Sequence, residues 1–264
     1  MKKFIERIKN EIGNEYIVTE VTKTYDNDYI AHGISIKRVN DNFAPVFYYN
    51  EHYTFEENVK FTLRAFKIAH PQKKINLEEI LDFNKSLPRV YNHTTTSFDV
   101  NYVTNKIYKT DLSCIYIIPV DYDEIQGFIK IPKNIPSIPD NIHDIAIRNM
   151  EKNVKIESLG KILGFYDLPE NIHVVRSLNN NFGFSVVLTD KVKKFIITNY
   201  GCLQNVIIIP SSIHEAIIID KSIVQNIDFI KQMISSVNDT TVEKSEQLSN
   251  NAYHYNAKGE LEIC

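Results

Sequence analysis

Two runs of β-branched residues, Val206–Ile209 and Ala216–Ile219, flank the polar insert Pro210–Glu215. Consecutive Ile and Val residues can be hidden only by burial on both faces, so each run reads as a central strand. Pro and Ser in the insert are turn formers, which makes a tight antiparallel hairpin the simplest connection. Ser222–Val237 follows with Ile223, Ile227, Ile230, Ile234 and Val237 at helical spacing, and this predicts an amphipathic helix packed on the hairpin. Ribbon and helix together should form the core of the C-terminal half.

The segments before the ribbon repeat the theme of short strands broken by single helices. Phe4, Ile5, Ile8 and Ile12 share a stripe and Gly13 follows, predicting a helix over residues 2–12. Tyr16–Thr24, Ile30–Val39 and Pro45–Tyr49 read as a three-stranded meander, turned at Asp26–Asp28 and Asn40–Asn42. Thr54 and Glu57 make a capping box for a helix over Phe55–Ala69, stopped by Pro71. A short helix is expected over Leu77–Phe83, closed by Pro88. Strands are expected at Arg89–His93, Ile107–Lys109, Cys114–Val120 and Gly127–Pro132, with Pro119 and Pro132 pushing the last two towards edges or ends. Asp140 is placed to cap a helix carrying Ile142, Ile145, Ala146 and Met150.

Val174–Leu178 and Phe184–Leu188 read as a hairpin turned through Asn179–Gly183. Thr189 or Asp190 then caps a helix over Lys191–Tyr200 that Gly201 ends. Ala252–Asn256 and Leu261–Cys264 read as a last hairpin, with His254 exposed between two tyrosines. The fold class implied is α+β, mainly antiparallel sheets built from hairpins with interspersed helices packed on them. The length of 264 residues and the linker-like NIPSIPDN at Asn134–Asn141 suggest subdomains 1–135 and 136–264, with one continuous domain as the alternative.

Composition narrows the chemistry. The charged fraction is 24% and the net charge −3, so bulk charge gives no sign of a nucleic-acid binder. Cys114, Cys202 and Cys264 are odd in number and lack CxxC spacing, which argues against a disulfide framework and a zinc site and fits a reducing cytoplasm. No run is long and apolar enough for a membrane span, and the N-terminus lacks the apolar region of a signal peptide. With 8 glycines and neither GxGxxG nor GxxxxGK[ST], no nucleotide cofactor is expected. The histidines are scattered, so no metal is expected either.

Two stretches hold candidate functional residues. Ser211, Ser212, His214 and Glu215 supply the residue types of a serine hydrolase within one turn. Triads, however, draw their members from separate segments, and no GxSxG elbow occurs, so the turn reads first as a hairpin closure. His214-Glu215 also lacks the second histidine of a zincin, since Ile218 stands there. The second stretch is the aromatic corner. Phe47, Tyr48, Tyr49, His52, Tyr53 and Phe55 are the densest ring cluster and, with Lys60, Arg64 and Lys67 on the next helix, could stack single-stranded bases. Tyr48, Tyr49, His52, Tyr53, Lys60 and Arg64 are the candidates for a partner-binding surface.

Three blocks carry a resemblance: IIPSSIHEAIIID at Ile208–Asp220, MISSVNDTTVEKSEQLSNNAYHYN at Met233–Asn256, and DIAIRNM at Asp144–Met150. In order and spacing they resemble an uncharacterised domain-of-unknown-function family of low-GC Gram-positive bacteria, often found near mobile-element genes. The layout also looks distantly like the YtpQ proteins. The resemblance implies a cytoplasmic α+β protein and assigns no activity or catalytic residue. The reading that follows is a non-enzymatic protein-interaction protein with an unknown protein partner, an accessory or anti-defence factor of a mobile element. A hydrolase at the 210–215 turn and a single-stranded nucleic-acid binder at the 47–67 corner are the alternatives.

Overall fold

The computed structural model describes residues 1–24, 30–39, 44–69, 81–96, 98, 100–122, 125–165 and 171–264. The expected turns at Asp26–Asp28 and Asn40–Asn42, the Pro71 stop and most of the Leu77–Phe83 helix lie outside these residues. The chain is α+β with antiparallel sheets. It divides into two compact units, Met1–Ile80 with Val120–Gly127, and Leu81–Pro119 with Phe128–Cys264. The cut at 135/136 suggested by the linker-like segment falls inside the second unit.

In the first unit, α1 (Lys2–Ile12) ends at Gly13, whose φ of 90° suits a residue without Cβ. The meander follows as expected, β1 (Tyr16–Thr24), β2 (Ile30–Arg38) and β3 (Val46–Tyr48), in the order β1-β2-β3. Next comes α2 (Phe55–Ala69), whose capping box forms: Glu57 N–H donates to Thr54 Oγ1, and Thr54 N–H to Glu57 Oε2 at 2.8 Å. The period of two on the strands and 3.6 on the helices sends Phe4, Ile8, Val18, Ile34, Ile36, Phe47, Val59 and Phe66 into one core.

The second unit holds the larger sheet and most of another, of which residues 120–122 and 125–127 are counted with the first unit. In this other sheet, β6 (Leu112–Tyr122) pairs with β4 (Leu87–Asn92), β5 (Thr104–Lys106) and β7 (Ile125–Lys130). Pro88 lies in β4, an edge strand, where a missing N–H is tolerated. The expected strand at Ile107–Lys109 is displaced to β5, because Ile107, Thr110 and Leu112 form a turn tied by Thr110 Oγ1. The α3 helix (Ile142–Glu151) is capped at Asn141 without a side-chain bond, not by Asp140.

The larger sheet runs β13-β12-β10-β11-β9-β8 and is antiparallel throughout. Its centre is the isoleucine ribbon, β10 (Val206–Pro210) and β11 (Glu215–Asp220), in the register Ile208 opposite Ile218. Alternation splits the run between two cores. Val206, Ile208, Ala216 and Ile218 join the main core, while Ile207, Ile209 and Ile219 meet Ile230 and Ile234 of α6 (Ile227–Thr240). Each such burial contributes about 1.5–3 kcal/mol before entropy is counted. Around the ribbon lie β9 (Ile172–Ser177), β12 (Tyr253–Tyr255) and β13 (Leu261–Ile263), the last two being the expected tail hairpin. The edge strand β8 (Val154–Ser158) and the one-turn helix α4 (Leu159–Leu163) carry no strong periodic signal in the sequence. The α5 helix (Asp190–Tyr200) is capped by Thr189, which accepts from Val192 N–H.

Two expectations fail for identifiable reasons. Gly183–Leu188 is a 3₁₀ segment, not the second strand of a hairpin. A short apolar run buried all round has no periodicity to separate the two. Here Ser185 and Thr189 donate their hydroxyls to the Phe182 and Val186 carbonyls and hold the tighter winding. The helix expected from Ser222 starts only at Ile227. Asp220 caps a single 3₁₀ turn over Lys221–Ile223, and Asn226 caps α6 afresh. The buried stripe of α6 is therefore Ile230, Ile234 and Asn238, while Ile223 and Val237 are exposed.

Candidate functional site

The ribbon tip is a closed local circuit. The N–H groups of Ser211 and Ser212 both donate to the Glu215 carbonyl, at 3.2 and 3.4 Å. Ser211 Oγ donates to Glu215 Oε1 at 3.1 Å, and Ser212 Oγ accepts from His214 N–H at 3.0 Å. The serine hydroxyls thus serve the turn, as Ser does when it competes for nearby backbone groups. Ile213 is buried in the main core, and its N–H donates to the Glu246 carbonyl at 2.8 Å.

The His214 ring turns to groups that come from distant segments of the chain. Its Nδ1 accepts from Phe182 N–H at 3.3 Å, and its Nε2 faces Glu246 Oε1 at 3.5 Å. Phe182 lies nearly parallel to the imidazole, with centroids 6.0 Å apart at 22°. The Arg89 guanidinium sits 4.7 Å from the Phe182 centroid, and Phe128 meets that ring edge-on at 5.2 Å. Phe182 itself is left-handed, with φ 51°. The approach is close enough that a Cβ on Gly183 would stand 2.1 Å from the His214 carbonyl oxygen. Chemically, the nitrogen that would act as a general base already accepts a backbone donor. The other nitrogen faces Glu246. Among the described residues, no serine hydroxyl is bonded to this imidazole.

The aromatic corner is built on Asn58, which is 2% exposed at the start of α2. Its amide accepts from Asn50 N–H at 2.8 Å and donates to the carbonyls of Asn50, Tyr53 and Thr54. One buried side chain therefore fixes the whole 50–54 turn. Strand alternation divides the candidate residues. Tyr48 is exposed and lies over Gly33, on the face opposite the buried Phe47. Tyr49 instead packs on Phe4, edge-on at 5.3 Å. His52 and Tyr53 stand out from the turn, and Lys60 and Arg64 are exposed on α2. Of the expected ring cluster Phe55 is exposed and Phe47 buried, and the exposed ring of Phe61, which the sequence did not mark, belongs to the same region.

The remaining histidines of the second unit are occupied. His93 meets Ser113 Oγ at 3.0 Å, His143 the Tyr116 hydroxyl at 2.8 Å, and His173 the Tyr200 hydroxyl at 2.6 Å. Burial holds His143 below its usual value and pushes the Tyr200 hydroxyl up to about 12. His254 is half-buried rather than exposed, with Nδ1 3.6 Å from Cys264 Sγ. The three cysteines are free. No group of three His, Cys, Asp or Glu among the described residues could hold a metal ion. No helix among them is long and apolar enough to cross a membrane.

A further polar hub escaped the sequence altogether. The Asp111 carboxylate accepts from Asn92, Ser249, Asn251 and Tyr253, at 2.9, 2.7, 3.1 and 2.6 Å. It ties the turn before β6 to the segment that leads into β12. Asp in a turn is too common for any sequence signal to mark it.

No curated protein and no solved structure matches the chain. A family model does, over residues 1–257, and its description reads "Family of unknown function (DUF5688)". With nearly the whole length matched, the chain belongs to the DUF5688 family.

Proposed function

We propose that this is a non-enzymatic protein-binding protein whose recognition surface is the aromatic corner of the first unit. The observation that carries the reading is a set of large exposed rings around a turn held by one buried asparagine. Tyr53, Phe55 and Phe61 are 48%, 37% and 58% exposed. Rings so displayed are the usual anchors of protein interfaces, and a rigid turn lowers the entropy lost on binding. The hydrogen bonding of the ribbon tip supports the same view, since Ser212 Oγ and the imidazole accept backbone N–H groups and Ser211 Oγ donates to the Glu215 carboxylate.

The narrower role, an accessory or anti-defence factor of a mobile element acting in the bacterial cytoplasm, rests on the three-block resemblance alone. Affinity capture from a low-GC Gram-positive lysate tests the binding surface, comparing the native chain with Tyr53→Ala/Phe61→Ala. The expected result is a partner retained by the first and lost by the second. Identical captures, or none, would remove the proposal.

A hydrolase is the second reading, favoured by the His214–Glu246 approach at 3.5 Å, which resembles a base and its orienting carboxylate. It requires a serine to reach His214 after Phe182 N–H lets go. Labelling of Ser211 or Ser212 by a fluorophosphonate, abolished in His214→Ala, would establish it in place of the binding reading.

A further inference from the structure

Beside the corner, Met1, Lys2, Lys3, Phe4, Tyr49 and Phe55 line a groove of about 460 Å³. Its floor is the Phe4 ring, 2% exposed, with Tyr49 and Phe55 set edge-on to it at 5.3 and 6.2 Å. That volume accepts one large apolar side chain with its neighbours. The α1 side of the mouth is basic. Lys2 and Lys3 are exposed in the first turn of α1, which contains no acidic residue and has no side-chain cap. Among the described residues neither lysine enters an ion pair. The positive end of the helix dipole adds to the two ammonium groups, an arrangement that costs stability until an anion arrives.

We propose that this groove binds an acidic peptide segment of a partner protein, an apolar or aromatic residue seated on Phe4 and flanking carboxylates on Lys2 and Lys3. Charge complementarity selects the carboxylates, and the aromatic floor selects the anchor. A nucleic acid fits less well. The exposed Glu56, next to Phe55 in sequence, and Glu51, two residues beyond Tyr49, interrupt a continuous phosphate track, whereas one or two carboxylates need only the two lysines. This inference rests on the corner being a protein-binding surface and names the chemistry of what it binds.

The test is fluorescence anisotropy on the whole chain with a labelled twelve-residue peptide alternating Glu with Phe and Ser. Its Lys-for-Glu counterpart and a thymidine oligonucleotide of equal length serve as rival probes. The Glu peptide should bind, and Lys2→Glu/Lys3→Glu should weaken it at least about tenfold. Phe55→Ala should weaken it as well, whereas Lys193→Glu on α5 should leave it unchanged, with circular dichroism confirming that each variant folds. Binding of the Lys peptide or the oligonucleotide at equal strength would overturn the proposal. So would no binding of the Glu peptide, or full binding by the lysine double variant. A partner lost in Tyr53→Ala/Phe61→Ala but indifferent to the lysines would sink this inference while leaving the corner itself a binding surface.

Discussion

Replacing Asp111 with Ala should be among the most damaging single changes in the second unit, although nothing in the sequence marks the residue. The substitution removes one carboxylate and strands four donors. Three of them are on buried residues: Tyr253 is 0% exposed, Ser249 6% and Asn92 8%. A buried donor stripped of its acceptor costs about 1–3 kcal/mol, so three give an upper bound of roughly 9 kcal/mol. Asp111 itself is half-buried, so water replaces part of what is lost, and the expected penalty is about 3–5 kcal/mol. At about 2–4 °C per kcal/mol for a domain of this size, Tm should fall by roughly 6–20 °C. Urea denaturation followed by tyrosine fluorescence measures it, the chain having 15 Tyr and no Trp. Tyr253→Phe, which removes one donor and leaves the carboxylate three partners, should cost only about 1 kcal/mol. Because the bonds to Ser249, Asn251 and Tyr253 close loops of 138–142 residues, Asp111→Ala should also expose the amides of 249–255 to exchange. A loss below about 1 kcal/mol, with those amides still protected, would show that the hub is ornamental.

Three further outcomes follow from the same structure. Gly183→Ala should destabilise by about 3 kcal/mol or more in a urea titration, because its Cβ meets backbone atoms, His214 O at 2.1 Å and Ser177 N at 2.5 Å, that cannot rotate away. His143, held low by burial, is protonated in the unfolded chain before the folded one. Stability should therefore drop as pH falls from the ordinary histidine value towards the folded one, and His143→Gln should flatten that slope in urea midpoints taken from pH 7.5 to 5. The Lys155 and Arg176 side chains hold Glu157 at about 2, so its contribution is complete above the ordinary carboxylate value of 4.5 and disappears as pH falls towards 2. An NMR titration of the Glu157 carboxyl with its midpoint near 4.5 would contradict that, and Glu157→Gln should erase the corresponding acid limb of the stability curve.

What could be read from the candidate sites depended on how local their geometry is. The capping box at Thr54 and Glu57 was legible, since both partners lie within one turn of chain. The reading of Ser211 and Ser212 as turn residues was legible for the same reason. The environment of His214 was not: Phe182, Arg89 and Glu246 come from three other segments, and only the closed fold brings them together. At the corner the sequence found the aromatic cluster. It grouped Tyr48 with Tyr49, although a period of two sends neighbours to opposite faces.

By itself the sequence determined the antiparallel α+β class, the isoleucine ribbon and the meander. Each depends on a period of two or 3.6 repeated over enough residues to outweigh local ambiguity. Tertiary structure alone decided where such patterns are short or carry competing caps. Gly183–Leu188 wound into a 3₁₀ segment because it is buried all round and hydroxyls were at hand to hold the turn. The helix expected from Ser222 broke in two because Asp220 and Asn226 each offered a cap. Asp111 acquired its role from donors up to 142 residues away. Such contacts leave no periodic trace in the chain, because their energy exists only once the chain has closed.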